Sequence, residues 1–481
     1  MLSVSCPSCG APVAFRSHAS VMAVCEYCRA TVHKDAGAVR QLGKLSEVLE
    51  DYSPIQIGTA GKVGARSFTV IGRIQLRYAA GMWNEWYLMY EDGGSGWLGD
   101  FSGQFTVTAQ RPLPDKFPPF EMARVGAQFD LGFGLAVVSD RREAQCVGGQ
   151  GELPFDVGDG WSARVVDLRR GPSFATLDYS DGDKPLLYTG VAVTLESMGC
   201  QLLRDDEAIK ASAGRYRGKV GALQCPSCGT AIAYLPGMAD KLVCQACATR
   251  IDASTPQAEV LAAGERNDKV PLTLPLGAQA KIGNQDYHLI GAMKRTDDEG
   301  ETWTEYLLYA TRGTFFWLVE AGDQWWRSEV MDEWPEPGTP AVPHVSLHNI
   351  RYERTLDYEA RVTWAAGAFN WKVAAGDRAR VREFERGMAS LAAENTQDEL
   401  SWSRSTPVAA DQVRAWFKLP APPAAKGAGL SASLGELQWR FLLWILGLNA
   451  VPLIVNFGET MIWLLAALFA LFIPPNIVKK D

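Results

Sequence analysis

The sequence predicts a mainly β protein: two zinc ribbons, each followed by an antiparallel β barrel or sandwich-like domain, and a C-terminal transmembrane helical hairpin. Three observations support this fold class. Eight of the ten cysteines form Cys-x-x-Cys pairs, short runs of β-branched and aromatic residues alternate with Gly- and Asp-rich turns, and residues 436–481 are strongly apolar. Many short strands joined by such turns are typical of barrels and sandwiches.

The size and charge of the chain bound its class. It has 481 residues, 47% hydrophobic and 21% charged, which is typical of globular domains and excludes a disordered or collagen-like chain. Asp and Glu (55) exceed Lys and Arg (47), and the net charge of −8 argues against a general nucleic-acid binder. The N-terminus lacks the basic start and apolar run of a secretory signal. In a chain that is not exported, Cys-x-x-Cys pairs favour metal thiolates over disulfides.

Two cysteine quartets share one spacing, with fifteen residues between the two pairs of each. They are Cys6, Cys9, Cys25 and Cys28, and Cys225, Cys228, Cys244 and Cys247. Each pair can turn both sulfurs towards one point, and four thiolates around one ion make a closed tetrahedral site. We therefore expect one structural zinc ion per quartet, in ribbons at 1–36 and 216–253. Neither ribbon has a basic face suited to a phosphate backbone, although nucleic-acid contact remains an alternative.

The ribbon and the segment after it recur along the chain. A shift of 219 residues carries the first quartet onto the second, and carries Gly58, Lys62, Gly64, Phe68, Ile71 and Gly72 onto Gly277, Lys281, Gly283, Tyr287, Ile290 and Gly291. One inserted residue later, a shift of 220 carries Trp83, Glu85, Trp86 and Trp97 onto Trp303, Glu305, Tyr306 and Trp317. A period this long indicates tandem domains rather than a solenoid.

The two bodies that follow the ribbons, at 37–215 and 254–418, are predicted to be β domains. Strands are predicted in the first body at Phe68–Ile71, Trp86–Tyr90, Phe105–Thr108 and Ala163–Leu168. A helix is predicted at the start of each body, at Val39–Asp51 and Pro256–Arg266, and a closing helix at Asp411–Lys418. The prediction of the first helix rests on apolar residues at helical spacing, namely Leu42, Leu45, Val48 and Leu49.

These motifs resemble the bacterial domain-of-unknown-function family 4178. The resemblance rests on the Gly-x-x-x-Lys-x-Gly segment at Gly58–Gly64, Trp-x-Glu-Trp at Trp83–Trp86 and Gly-Trp-Leu at Gly96–Leu98, with similar segments at Gly277–Gly283, Trp303–Tyr306 and Phe316–Leu318. Gly151–Pro154 is similar to the family's Gly-Glu-Phe-Pro, whereas the second copy has Ala368 in place of the acid. The resemblance covers both bodies and implies no established activity. Genes of this family tend to lie near polyamine aminopropyltransferases and small membrane proteins, which hints at an envelope-linked role.

The C-terminal region is predicted to anchor the protein. Residues 419–435, rich in Pro, Ala and Gly, are predicted to be a linker, and residues 436–481 to form two transmembrane helices. Lys and Arg flank the helices but are absent from the turn between them, so both ends are expected in the cytoplasm. The alternatives are one span with an interfacial helix, because Asn449, Pro452 and Asn456 weaken the first segment, and a buried soluble hairpin.

No catalytic motif for phosphate binding, serine hydrolysis or zinc proteolysis is present. Glu85 and Glu305 recur at matched positions as acid–base candidates, with pairing or solvent exposure as the simpler interpretation. A cluster of aromatic and acidic residues in the second body is a candidate surface for polyamines or similar organic cations, with core packing as the alternative. Its members are Trp325, Trp326, Trp334, Trp364 and Trp371, with Glu320, Asp323, Glu329, Asp332, Glu333 and Glu336.

Together the patterns predict a non-catalytic interaction or scaffold protein, anchored in the inner membrane, with most of the chain in the cytoplasm. It is expected to carry two structural zinc ions, to have protein partners at the membrane, and to lack catalytic residues. A sensor for polyamines or similar cations is the first alternative. A nucleic-acid-binding zinc-ribbon protein is the second.

Overall fold

The structure, a computed structural model, describes residues 2–420 apart from 17–19, 21, 29, 36–37, 45–52, 79–81, 102–103, 156, 158–160, 206–207, 209–222, 233–240, 253–258, 263–269, 311–314, 338–342 and 370–371. Beyond 420 it describes 442, 445, 458, 460–462, 464, 465 and 467. The chain divides into two compact units, Met1–Lys418 and Leu419–Asp481. All strands reported below lie in the first unit.

The N-terminal half of this unit is built from antiparallel strands. They are β1 (Leu2–Ser5), β2 (Pro12–Phe15), β3 (Met22–Val24), β4 (Ala30–Asp35), β5 (Ala38–Lys44), β6 (Ala60–Val63), β7 (Arg66–Arg77), β8 (Met82–Tyr90), β9 (Ser95–Phe101), β10 (Gln104–Arg111), β11 (Gln128–Asp130), β12 (Leu135–Leu153), β13 (Ser162–Arg170), β14 (Ser173–Asp178) and β15 (Leu186–Val193). One 3-10 turn lies at Phe120–Met122. Strands β7 to β10 and β12 to β15 pair as β12-β13-β14-β15-β10-β9-β8-β7, and β7 pairs again with β12. We call this closed ring of eight strands barrel 1.

The C-terminal half repeats this arrangement. Its strands are β16 (Leu223–Gln224), β17 (Ala231–Ile232), β18 (Lys241–Val243), β19 (Arg250–Asp252), β20 (Glu259–Ala262), β21 (Gln279–Ile282), β22 (Gln285–Thr296), β23 (Thr302–Ala310), β24 (Phe315–Ala321), β25 (Gln324–Val330), β26 (Glu336–Pro337), β27 (His344–Leu347), β28 (Ile350–Phe369), β29 (Arg378–Arg386), β30 (Ala389–Asn395) and β31 (Leu400–Val408). Eight of them pair as β28-β29-β30-β31-β25-β24-β23-β22, and β22 pairs again with β28. We call this ring barrel 2. The strand order of the two rings is the same.

The predicted strands are all present, inside longer ones, because their side chains alternate between two covered faces. In barrel 1 one face of β8 turns Trp83 and Tyr87 into the ring, while the other packs Trp86 and Leu88 against outer residues such as Ile55. Strands with both faces covered are long and apolar, as the sequence indicates.

Glycines permit the close strand crossing that closes each ring. A Cβ built on Gly72 would lie 1.8 Å from the carbonyl oxygen of Glu152, and one on Gly291 would lie 2.5 Å from that of Ala368. No larger residue fits either position without moving the backbone. The matched glycines of the sequence repeat are therefore explained by this crossing.

Two of the three predicted helices are wrong. The described start of the Val39–Asp51 segment is strand β5, which pairs with β4, and part of the Pro256–Arg266 segment is β20, which pairs with β19. The open edges of β4 and β19 offer backbone partners that outweigh the helical apolar spacing. The closing helix is observed as α1 (Ala410–Phe417), which buries Val413 and Phe417.

The C-terminal part of the predicted fold class, a transmembrane helical hairpin at 436–481, is wrong. No helix in the described part of the chain is both long and apolar enough to cross a membrane. A spanning helix needs about 20 uninterrupted apolar residues, and Asn449, Pro452 and Asn456 break the first apolar segment. Most of 436–481, and residues 421–435 of the predicted linker, lie outside the described residues.

Candidate metal centres and a cavity in barrel 1

The cysteine pairs form tight turns that direct their sulfurs inwards. The N–H of Gly10 donates to the carbonyl of Cys6, and the N–H of Gly229 to the carbonyl of Cys225, each at 2.8 Å. The φ angles of the two glycines are +76° and +74°, a conformation that glycine adopts without steric cost. Each glycine directly follows the first Cys-x-x-Cys pair of its quartet.

The structure brings all four sulfurs of each quartet together, within 4.8 Å of one another. Sulfurs about 2.3 Å from one tetrahedral ion lie about 3.8 Å apart. The observed distances between sulfurs are 3.6 Å for Cys6 and Cys28, and 3.7 Å for Cys9 and Cys25, Cys225 and Cys247, and Cys228 and Cys244. The donor set therefore fits one metal ion per quartet, with every tetrahedral position taken by protein.

Hydrogen bonds favour a thiolate in each quartet. A backbone hydrogen bond from Ala30 lowers the pKa of the Cys28 thiol to about 6. The hydroxyl and the backbone of Thr230 lower the pKa of Cys228 to about 6. In the same quartets the pKa values of Cys9 and Cys244 are raised to about 12. Thiolate is the form that binds metal, so each quartet without an ion offers one favoured thiolate at neutral pH.

Both ribbons are built into the barrel sheets. Strand β3, which ends next to Cys25, pairs with the end of β12 (Val24 opposite Gly151), and β18, which ends next to Cys244, pairs with the end of β28. The ribbon-to-barrel boundaries expected from the sequence thus fall within continuous sheets. An ion at either quartet would hold the end of a long barrel strand.

The two ribbons differ in how they are tied to their barrels. In ribbon 1 the side chain of Glu152 is buried, accepts a hydrogen bond from Ser20 Oγ at 2.9 Å, and lies 3.7 Å from Arg16. Ala368 takes the corresponding place in barrel 2, opposite Leu242. Among the residues that the structure describes, only ribbon 1 therefore has this polar tie in addition to strand pairing.

The tips of the knuckles also differ. Tyr27 lies between Cys25 and Cys28 and is 75% exposed. The matching residue between Cys244 and Cys247 is Ala246, which packs against the core of the second half. Ribbon 1 therefore presents a large aromatic side chain at a turn whose two ends are candidate metal ligands.

Barrel 1 contains a partly open cavity of about 190 Å³, whose lining also includes residues from the end of β25, from the segment after it and from the start of β31. Its acidic lining residues are Glu85, Asp100, Asp140, Asp167, Asp178 and Glu399, and its basic ones are Arg142 and Arg169. Arg142 is committed to an ion pair with Asp140, and Arg169 stacks on Phe174 with 4.6 Å between the guanidinium carbon and the ring centre. The lining therefore has an excess of carboxylates.

Four of these carboxyl groups have raised pKa values, and for Glu399, as for the other three, burial is the largest cause. Burial raises the pKa of Glu85 to about 7, assisted by the charges of Asp178 and Asp167, while the indole N–H of Trp83 donates to Glu85 at 3.0 Å. Burial also raises the pKa values of Asp167 and Asp178. Among the described residues, neither Glu85 nor Asp178 forms an ion pair. A cation bound in the cavity would stabilise the ionised carboxylates and lower their pKa values.

Barrel 2 contains its own cation. Arg295 is 5% exposed and donates to both oxygens of Glu394 at 2.8 and 3.1 Å, and to Glu305 at 3.3 Å. Trp303 donates to Glu305 at 2.7 Å, as Trp83 does to Glu85 in barrel 1. Sequence reasoning singled out the two glutamates but missed Arg295, Asp178 and Glu394.

The predicted cation-binding surface of the second body is not one exposed face. Trp325 is buried and stacks on Tyr306, whose hydroxyl donates to Glu320 at 2.7 Å. Trp334 is buried in a separate cluster with Trp402, and Trp371 lies outside the described residues. Core packing, the alternative interpretation, describes Trp325 and Trp334.

The fold and these centres define a class: two antiparallel eight-stranded barrels in one chain, each continuous with a four-cysteine ribbon. Within the chain, residues 275–410 match the family model described as Domain of unknown function (DUF4178). This confirms the predicted resemblance for that segment, which includes all eight strands of barrel 2. No curated protein and no solved structure matches the chain.

Proposed function

We propose that this protein is a non-catalytic interaction protein in which two structural zinc ions fix the ribbons to the barrels. The closed sulfur geometry supports this role, because four thiolates leave no coordination position for a substrate. The soft thiolate donor set favours zinc among the common divalent ions. Ribbon pairing with β12 and β28 supports a structural role for both ions.

The observation that carries the interaction role is Tyr27. Exposed tyrosines held in a fixed position are frequent anchors of protein interfaces, because they bury a large area with little loss of side-chain freedom. A zinc ion bound by Cys25 and Cys28 would fix the turn that presents Tyr27. We propose that a protein partner docks on this knuckle and that the equivalent knuckle of ribbon 2 has no such role.

Site-specific photocrosslinking in cells tests this role. A photoreactive phenylalanine analogue at position 27 is expected to give a discrete crosslinked adduct. The same analogue at Gln245, an exposed residue of the second knuckle, is the control because Ala246, which matches Tyr27, packs against the core. The adduct should disappear when Cys28→Ser removes a metal ligand. Equal adducts at both positions, or none at position 27, would contradict the proposed docking site.

Tyr27→Ala separates binding from stability. Since Tyr27 is mostly exposed, its loss is expected to change the free energy of unfolding by less than about 0.5 kcal/mol. Loss of partner capture without loss of stability would support a contact role, and a large loss of stability would show instead that Tyr27 serves the fold.

A further inference from the structure

We infer that the cavity of barrel 1 is a binding site for a compact organic cation, with a guanidinium or primary ammonium head, held by Glu85 and Asp178. This site goes beyond the interaction role of the ribbons. It rests on a comparison of matched positions in the two barrels, where the same pair of carboxylates meets a built-in guanidinium in one and a cavity in the other.

Strand pairing defines the matched positions. Leu76 of β7 lies opposite Cys146 of β12, and Arg295 of β22 lies opposite Val362 of β28. The glycine crossings, where Gly72 pairs with Gly151 and Gly291 with Gly367, lie four residues earlier on β7 and β22. Leu76 therefore occupies the place of Arg295.

The carboxylates match by the same criterion. Glu85 pairs with Ile74, two residues before Leu76, and Glu305 pairs with Met293, two residues before Arg295. On the opposite side of the rings, Asp178 pairs with Val165 and Glu394 with Val381. These two pairings occupy equivalent places in β13–β14 and β29–β30.

In barrel 2 this pair of carboxylates binds a guanidinium. Arg295 bridges Glu394 and Glu305, and its guanidinium carbon lies 5.9 Å from the centre of the Trp303 ring. The geometry shows which group these wall positions accept: a planar cation with several donors, next to an indole.

In barrel 1 the carboxylate positions are kept and Leu76 replaces the buried arginine. The guanidinium carbon of Arg142 lies 5.2 Å from the centre of the Trp83 ring, and this arginine is paired with Asp140. Leu76 is 1% exposed and lines the cavity, and Trp83 again donates to its neighbouring glutamate. Aromatic residues complete the lining, with Trp97, Phe155, Trp161 and Tyr188 beside the carboxylates. Carboxylates with aromatic faces favour an organic cation over a hydrated metal ion, which prefers an all-oxygen shell.

The first measurement is calorimetric titration of the full chain with methylguanidinium, and with methylurea as the neutral analogue of similar shape. We expect methylguanidinium to bind, and methylurea to bind at least about tenfold more weakly because it lacks the charge. Equal binding of the two, stronger binding of magnesium ions than of methylguanidinium, or no binding at about 10 mM would overturn the site.

Substitutions then locate the site. Leu76→Arg supplies the cation from within, as in barrel 2, and is expected to abolish methylguanidinium binding. Glu85→Gln should weaken binding at least about tenfold, whereas the matched variant Glu305→Gln in barrel 2 should leave it unchanged. If Leu76→Arg does not fold, the difference in methylguanidinium affinity between Glu85→Gln and Glu305→Gln locates the site. Binding that is unaffected by Glu85→Gln would overturn the proposal.

The pH dependence is a third readout. The charged and titratable groups that face Glu85 are Asp167, Asp178, Tyr188 and, from β12, Cys146 and the cavity-lining Arg142. Since burial and the neighbouring acids keep the pKa of Glu85 at about 7, methylguanidinium should bind more tightly as pH rises through that value. This pH dependence should be reduced in Glu85→Gln. Affinity that falls with rising pH would contradict a carboxylate site.

Discussion

Barrels 1 and 2 have the same strand order and the same glycine crossing, yet their interiors treat buried acids differently. In barrel 2, Arg295 neutralises Glu305 and Glu394. In barrel 1 the corresponding position is Leu76, and a cavity lies beside Glu85 and Asp178. At this one position, an arginine forms an internal ion network in barrel 2, whereas a leucine lines the acidic cavity of barrel 1, where we propose that a cation binds.

The two ribbons give the largest expected contrast. Serine at Cys244 removes one ligand of the second quartet, and we expect loss of one metal ion and of about 5 kcal/mol or more of local stability in ribbon 2. Cys25→Ser should loosen ribbon 1 less, because Glu152 still holds Ser20 and Arg16. Metal analysis together with hydrogen exchange at the amides of Val243 and Val24 measures both effects.

Cys200→Ser is the control for the ribbon variants, since this thiol is half-buried and lies outside both quartets. It should leave two metal ions per chain. If Cys244→Ser also retains two ions, or if both ribbon variants lose the same protection, the proposed difference between the ribbons is wrong.

The second-largest expected loss of stability comes from replacing Arg295, the buried cation of barrel 2. Arg295→Leu leaves the buried Glu305 without a charged partner and removes the ion pair of the partly exposed Glu394, and we expect a loss of about 3–5 kcal/mol at neutral pH. Chemical denaturation followed by tryptophan fluorescence measures it. The loss should shrink at acidic pH, because burial raises the pKa of Glu305 and favours its protonated form. A loss below about 1 kcal/mol at pH 7 would show that Arg295 is not needed to neutralise Glu305 and Glu394.

The smallest effect concerns Glu85. Its pKa in the folded chain is about 7, above that of an unfolded glutamate, so its contribution favours folding at low pH and is lost as pH rises through about 5 to 7. Glu85→Gln should therefore gain about 1 kcal/mol or more relative to the parent between pH 5 and pH 8. Denaturation at both pH values checks this, and a relative loss at pH 8 would refute the assigned direction.

Sequence patterns predicted the features that depend on local chemistry. The spacing of the cysteines predicted the two quartets, and the aromatic run of Trp86–Tyr90 predicted strand β8. Strand β5 was missed because its partner, the edge of β4, is a tertiary feature that local helical spacing does not reveal. Apolar composition likewise predicted a membrane hairpin, whereas the structure has no spanning helix among its described residues.

The cavity was only partly accessible from the sequence. Glu85 and Glu305 were found because they share one shift. The 219-residue shift also carries Leu76 onto Arg295, so the key difference was visible in the residues. The exchange of Leu76 for Arg295 can be interpreted only when strand pairing places Asp178 and Glu394 at matched positions across the rings. Both of these residues lie far along the chain from the positions they face.

The central claim, that Leu76 and Arg295 decide which barrel is open to a cation, is tested most directly by counting bound methylguanidinium per chain in equilibrium dialysis. The account predicts about one equivalent for the parent chain, none for Leu76→Arg, and about two for Arg295→Leu, where a second site opens in barrel 2. A parent chain that binds none, or equal binding in all three proteins, would contradict it.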